Sequence, residues 1–181
     1  MDIPIFNGGW SYTQKEMIEL FKYIVYTNDF NILEFGSGDS TVKLYHHFKK
    51  YTNKLIYYCY ESDPTYINHI KNDDINTLLS DVNMVFYKDT DINSVSIPDI
   101  IFDLILIDGP NGDKRALWYS KIKNNVKEGS IILIDDFNHY SCFSEELDRN
   151  FDYELLSFSN EPFVIDGEHS WKIVKIIKIK N

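Results

Sequence analysis

Short apolar runs recur along this chain at intervals of roughly 20 to 30 residues, and segments with helical periodicity separate them. No other feature limits the fold as much. A run of this kind fits a buried strand, and an amphipathic segment between two runs is the crossover that parallel neighbours require. Five runs, at 31–35, 55–60, 82–87, 102–107 and 130–134, are followed by two more at 153–158 and 170–179, joined through a loop containing Asp166 and Gly167. The last run alternates Ile and Val with Lys, the pattern of a half-exposed strand. A closing hairpin of this kind sets the final strand against its neighbours.

The intervening segments carry helix signals. Thr13-Gln14-Lys15-Glu16 is a capping box, and Met17, Leu20, Phe21, Ile24 and Val25 repeat at helical spacing, so a first helix is expected over 13–26. Asp63-Pro64 opens another, a third is capped near Asp113, and a short one covers 141–149. At about 150 residues per domain, 181 residues make one domain, 1–181, with 1–12 as an N-terminal loop near the rim of the sheet. The expected fold class is α/β: a Rossmann-like, doubly wound seven-stranded sheet, mainly parallel with an antiparallel last strand.

Composition narrows the classes further. A hydrophobic share of 44% with 15% aromatics excludes a disordered, collagenous or coiled-coil chain. The net charge of −10 opposes binding to nucleic acid or an anionic membrane, so neither is expected as a partner. Cys59 and Cys142 have no zinc-like spacing and read as reduced, buried thiols. The start of the chain lacks a signal-peptide layout and no stretch reaches 18 apolar residues, so a soluble, cytoplasmic protein is expected. The sequence does not give an oligomeric state.

Chemistry-bearing residues fall where strands end. In open α/β sheets, ligands settle beyond the carboxyl ends of the strands where the topology reverses. The first strand ends in Glu34-Phe35-Gly36-Ser37-Gly38-Asp39-Ser40-Thr41, whose glycines let a backbone approach a ligand. Thr41 stands where a dinucleotide fingerprint wants a third small residue. Glu61, followed by Ser62, lies 23 residues after Gly38, the distance at which a carboxylate can bond a ribose diol. Strand three ends at Lys88-Asp89-Thr90, strand four at Asp108-Gly109-Pro110, and strand five at Asp135-Asp136 with His139 close behind. If strand five continued through both aspartates they would point to opposite faces, so only one is expected to face a ligand. The topology brings Gly8-Gly9-Trp10-Ser11-Tyr12 and Asp166-Gly167-Glu168-His169 to the same rim. His46 and His47 lie on the helix after strand one, away from it, and no role is assigned to them.

In this order the residues resemble the class I S-adenosylmethionine-dependent methyltransferases. Leu33 to Thr41, together with Ile107-Asp108-Gly109-Pro110 and Arg115, resemble a compact group that includes sugar- and polysaccharide-directed O-methyltransferases, some metal-dependent. The resemblance implies that the turn at Gly36 and Gly38 holds the methionine end of S-adenosylmethionine, with Glu34, Ser37, Ser40, Thr41 and Asp108 among the cofactor-binding residues. It implies likewise that Glu61 holds the ribose and Asp89 the adenine, with Ser62 and Thr90 beside them as cofactor-binding residues. In metal-dependent relatives, acids after strands four and five bind the ion, which here would match Asp108, Asp135 and Asp136 with Mg or another divalent cation. Glucuronoxylan methyltransferases carry a His-Asp pair after strand five; this chain has Asp135-Asp136, so that substrate is not carried over.

The expected function is O-methylation of a hydroxyl on a sugar or other small polar acceptor. A sulfonium cofactor brings its own activation, so alignment and proton removal are left to the protein. Asp108, His139 and His169 are the candidate catalytic residues. A non-catalytic binding module on the same fold, an NAD-dependent oxidoreductase using the same turn and Glu61, and an aminopropyltransferase stay open as alternatives.

Overall fold

The computed structural model describes residues 2–6, 12–65, 76, 80–110, 112–139, 142–159 and 170–180. Its frame is one seven-stranded sheet in the order β3-β2-β1-β4-β5-β7-β6. The strands are β1 (Asp29–Phe35), β2 (Lys54–Glu61), β3 (Asn83–Phe86), β4 (Leu104–Ile107), β5 (Ile131–Asp135), β6 (Phe151–Ser159) and β7 (Trp171–Ile179). Strands β1 to β5 pair in parallel, whereas β7 lies antiparallel to both β5 and β6. The order reverses between β1 and β4, which places a topological switch point at Gly36 and Asp108.

Every residue of β4 and β5 is buried, as a central strand covered on both faces requires. Alternate residues divide between two cores. On one face Ile32, Leu104, Leu106 and Leu133 pack against Met17 and Leu20 of α1 (Gln14–Phe21) and Leu44 and Phe48 of α2 (Asp39–Tyr51). On the other, Leu33, Phe35, Ile105 and Ile134 meet Trp118 and Tyr119 of α3 (Leu117–Lys121) and Phe143 and Leu147 of α4 (Cys142–Asn150). Phe35 and Trp118 stack with ring centroids 3.9 Å apart.

Helix α1 is shorter than its apolar spacing predicts. Its capping box is present, but the helix ends at Phe21, and Ile24 and Val25 lie in the connection to β1. Val25 is exposed, and the β-branched pair Ile24-Val25 loses rotamer freedom in a helix that nothing beyond Ile24 would bury. The helix expected near Asp113 begins as a 3-10 turn, Asp113–Ala116, leading into α3. Helix α4 falls close to its expected place. Of the helix opened by Asp63-Pro64, residues 66–75 and 77–79 lie outside the described residues. Cys59 is buried as expected, but Cys142 is only half-buried, at the start of α4 beside Asp113. His47 is buried against Tyr26, 2.6 Å from Nε2 to the hydroxyl, and serves that aromatic cluster. No helix among the described residues is long and apolar enough to cross a membrane.

The switch point depends on two glycines in contact. Gly36 has φ of +100°, and a Cβ there would lie 3.1 Å from the Gly109 nitrogen. A Cβ on Gly109 would lie 3.0 Å from Gly36 Cα. Both obstacles are backbone, which cannot swing aside. Gly109→Ala is therefore expected to lower the stability against urea by about 1–3 kcal/mol; an unchanged midpoint would contradict the close approach.

Candidate functional site

The turn after β1 is held from several sides. The Gly36 N–H donates to the Tyr60 carbonyl at 2.8 Å, and the Asp108 N–H to the Phe35 carbonyl at 2.9 Å. Thr41, read as an obstacle where a small residue would let the helix approach, strengthens the turn: its buried Oγ1 accepts from the Gly38 N–H at 3.0 Å. Behind it, Glu34 is buried and its Oε2 accepts from the Tyr57 hydroxyl at 2.7 Å. Burial pushes the Glu34 carboxyl up to about 7, against hydrogen bonds from Tyr57, Thr41 and Cys59 that favour its charged form. Ser40 is buried at the first turn of α2.

Glu61, at the end of β2, faces this turn. Its Oε2 accepts from both the backbone N–H and the hydroxyl of Ser37, at 2.6 and 2.8 Å, and its Oε1 accepts from the Asp63 N–H at 2.7 Å. A carboxylate offers about four lone-pair directions, so a diol arriving here competes first with the Ser37 hydroxyl. Beyond Glu61, a cavity of about 690 Å³ is lined by Ser62, Pro64, Val85, Phe86, Tyr87, Lys88, Asp91 and Ser94 to Ser96. Asp89 begins a 3-10 turn beside it, and its Oδ1 is buried without a hydrogen-bond partner. Thr90 is exposed and its hydroxyl reaches Asp91 at 3.2 Å.

The ends of β4 and β5 and the start of α1 build a third region. Arg115, 3% exposed, lies among three aspartates: Asp108 Oδ1 is 3.7 Å from Nη2 and Asp136 Oδ2 3.5 Å from Nη1. Its Nη1 also donates to the Asp135 carbonyl, and its Nε to the Pro110 carbonyl, both at 3.1 Å. Burial opposes the guanidinium charge, but Asp108, Asp135 and Asp136 outweigh it and raise its proton affinity. Burial first, then the charge of Asp135, push the Asp108 carboxyl well above the usual carboxylate range. Glu16 is displaced in the same direction by burial and Asp135, and the Tyr12 hydroxyl by burial, Asp108 and Glu34.

One expectation changes here. Strand β5 ends at Asp135, and Asp136 takes φ of +53°, a left-handed conformation that Asp tolerates. The chain turns instead of continuing, so the carboxylate of Asp136 joins Asp108 at Arg115. The metal reading of Asp108, Asp135 and Asp136 gains no support: among the described residues no group of three or more His, Cys, Asp and Glu that could hold an ion is found. Arg115 places a positive charge against Asp108 and Asp136. His139 sits on the 3-10 turn Phe137–His139 after β5, while Trp10 and His169 lie outside the described residues. The sequence reading missed Glu16, which it took only for a helix cap, and gave Arg115 no role.

No known protein family matches the sequence, and no curated protein is similar to it. Solved structures are similar in fold. Precorrin-6y C5,15-methyltransferase from Geobacter metallireducens superposes with a TM-score of 0.60 at 13% identity, over 93% of this chain and 91% of that one. A Podospora anserina methyltransferase bound to S-adenosylhomocysteine gives 0.57 at 17%, over 93% and 80%. The fold is that of the S-adenosylmethionine-dependent methyltransferases. An rRNA methylase from Streptococcus thermophilus shares it at TM-score 0.56 and 12% identity, over 90% and 95% of the two chains. Proteins with nucleic-acid acceptors thus stand among its neighbours, and the fold gives no support to excluding nucleic acid.

The buried carboxyls make stability depend on pH. Glu34 binds its proton more tightly when folded, so its contribution is full below about 4.5 and is lost as pH rises through about 7. That displacement corresponds to on the order of 3 kcal/mol. Urea unfolding is expected to show stability falling from pH 5 to pH 8, with a shallower fall in Glu34→Gln. Stability that rises over this interval would contradict the buried geometry.

Proposed function

We propose that the protein transfers a methyl group from S-adenosylmethionine to a hydroxyl of a small polar acceptor, a sugar among the candidates. The observation that carries this reading is the row of polar groups along one rim, from the glycine turn through Glu61, bonded to Ser37, to the buried and unpartnered Asp89 Oδ1. The residues fit the cofactor. The Gly36 turn offers a backbone cradle for its methionine end, with Gly38, Ser37, Ser40 and Thr41. Glu61 and Ser62 suit its ribose, and Asp89 Oδ1 can accept from an adenine amino group, with Thr90 beside it. When bound, S-adenosylmethionine supplies a methyl group already activated as a sulfonium, and leaves as S-adenosylhomocysteine.

The chain's own part is alignment and proton removal. Asp108, between the glycine turn and Arg115, has a carboxyl whose proton affinity is raised by burial and the charge of Asp135, which makes it the stronger base and the candidate to accept the hydroxyl proton. Arg115 steadies that carboxylate and fixes the β4 turn. His139 and His169 are the other bases in this reading, and exchanging each for Ala separates them from Asp108.

Calorimetry is expected to show S-adenosylmethionine binding, weakened roughly tenfold or more in Glu61→Ala, where two charge-assisted partners of a diol would be lost. Asp108→Ala is expected to lower turnover by about 100-fold or more, the range of a lost general base. Because Arg115 already faces Asp108 and Asp136, activity is expected to persist in EDTA. Binding of NADH in place of S-adenosylmethionine would contradict the assignment.

A further inference from the structure

We propose that Glu34, buried behind the glycine turn, tells the sulfonium cofactor from its thioether product: it is charged beneath the first and takes up a proton beneath the second. The inference rests on the methyltransferase reading and adds a specificity residue to the cofactor cradle. Glu34 is 1% exposed, and its register neighbours are Cys59 on β2 and Leu106 on β4. The Tyr57 hydroxyl donates to its Oε2 at 2.7 Å. Two further hydrogen-bonding neighbours of Glu34 lead straight to the turn: the Thr41 hydroxyl accepts from the Gly38 N–H at 3.0 Å, and the Cys59 thiol donates to the Gly36 carbonyl at 3.5 Å. Glu34 is thus a positioning group, which reaches the cofactor through the turn.

The surroundings of Glu34 suit either charge state. The hydrogens of Tyr57, Thr41 and Cys59 rotate, so they can point at a carboxylate or turn away from a carboxyl. Glu61, by contrast, is met by the fixed backbone N–H groups of Ser37 and Asp63. Among the described residues no cation pairs with Glu34. The titratable groups that face it are Tyr57, Cys59 and Glu61 on β2 and Tyr12 ahead of α1. Burial pushes Tyr57, Cys59 and Tyr12 up and keeps them neutral, while Glu61 adds negative charge. From α2 comes the Thr41 hydroxyl and from β4 the apolar Leu106. A buried carboxyl without countercharge favours its neutral form, in line with its displacement to about 7. A positive charge arriving across the turn supplies the countercharge and favours ionisation. S-adenosylmethionine carries that charge on sulfur; S-adenosylhomocysteine has the same zwitterionic amino acid end and a neutral sulfur. Binding the cofactor therefore sends the Glu34 proton to solvent, and once the methyl has left, Glu34 takes a proton back. Raising the pH ionises Glu34 in advance, so preference for cofactor over product grows with pH.

The test is calorimetry on the full chain with S-adenosylmethionine and S-adenosylhomocysteine as separate ligands. Affinities are measured at pH 5.5 and 7.5, and proton release at pH 6.5 in two buffers of different ionisation enthalpy. S-adenosylmethionine is expected to bind about fivefold or more tightly at the higher pH and to release about half a proton at pH 6.5. S-adenosylhomocysteine is expected to change less than about twofold. Glu34→Gln copies the neutral carboxyl and is expected to lose both the pH dependence and the proton release. Tyr57→Phe removes a donor that favours the charge and is expected to move the midpoint to higher pH. Should a variant fail to fold, the wild-type comparison of the two ligands decides the inference by itself. Equal pH dependence for the two ligands, or full dependence kept in folded Glu34→Gln, overturns the inference and leaves the transferase reading intact. Binding of neither ligand overturns both.

Discussion

Burying a guanidinium behind two strand ends is unfavourable unless its charge and its donors are met, and at Arg115 both are. Backbone carbonyls of Pro110 and Asp135 take two of its donors, and Asp108 and Asp136 supply countercharge. The turn after β4 is thereby tied to the end of β5, while the Trp118 Nε1–H holds the Gly109 carbonyl at 3.0 Å. With Gly109 fixed, Gly36 packs on it backbone to backbone, and the turn that begins α2 is set in turn. The geometry of the whole rim thus follows from one buried cation and two missing Cβ atoms.

The fold was largely legible because its strongest signals are local. Buried runs such as Leu104–Ile107 and Ile131–Asp135 are apolar throughout, and the Lys-alternating β7 announces a strand with one face partly wet. Boundaries were less legible. Ile24 and Val25 continue the helical spacing of α1, yet only the tertiary structure shows that no surface waits there to bury Val25.

The site was legible in its backbone pattern and less so in its charge. Gly36, Glu61, Asp89 and Asp108 stand at strand ends, where sequence spacing can locate them. Asp108, Asp135 and Asp136 can be counted along the sequence, whereas Arg115, which faces Asp108 and Asp136, lies in a segment whose inward turn no spacing reveals. Glu16 was concealed in another way: a capping box explains one of its oxygens completely, and only three-dimensional contact exposes the other as orphaned. Thr41 shows the converse, a residue that breaks a glycine pattern yet supplies through its hydroxyl the bond that steadies the turn.

These features link the fold to a division of labour: the β1 and β2 ends offer neutral cradle and hydrogen-bond acceptors, and the β4 and β5 ends offer concentrated negative charge. A crystal structure of the protein grown with S-adenosylhomocysteine tests this most directly. The account predicts a nucleoside whose ribose diol replaces the Ser37 hydroxyl at Glu61, with its amino acid end against Gly36. A nucleoside bound elsewhere, with the bond from the Ser37 hydroxyl to Glu61 intact, would contradict it.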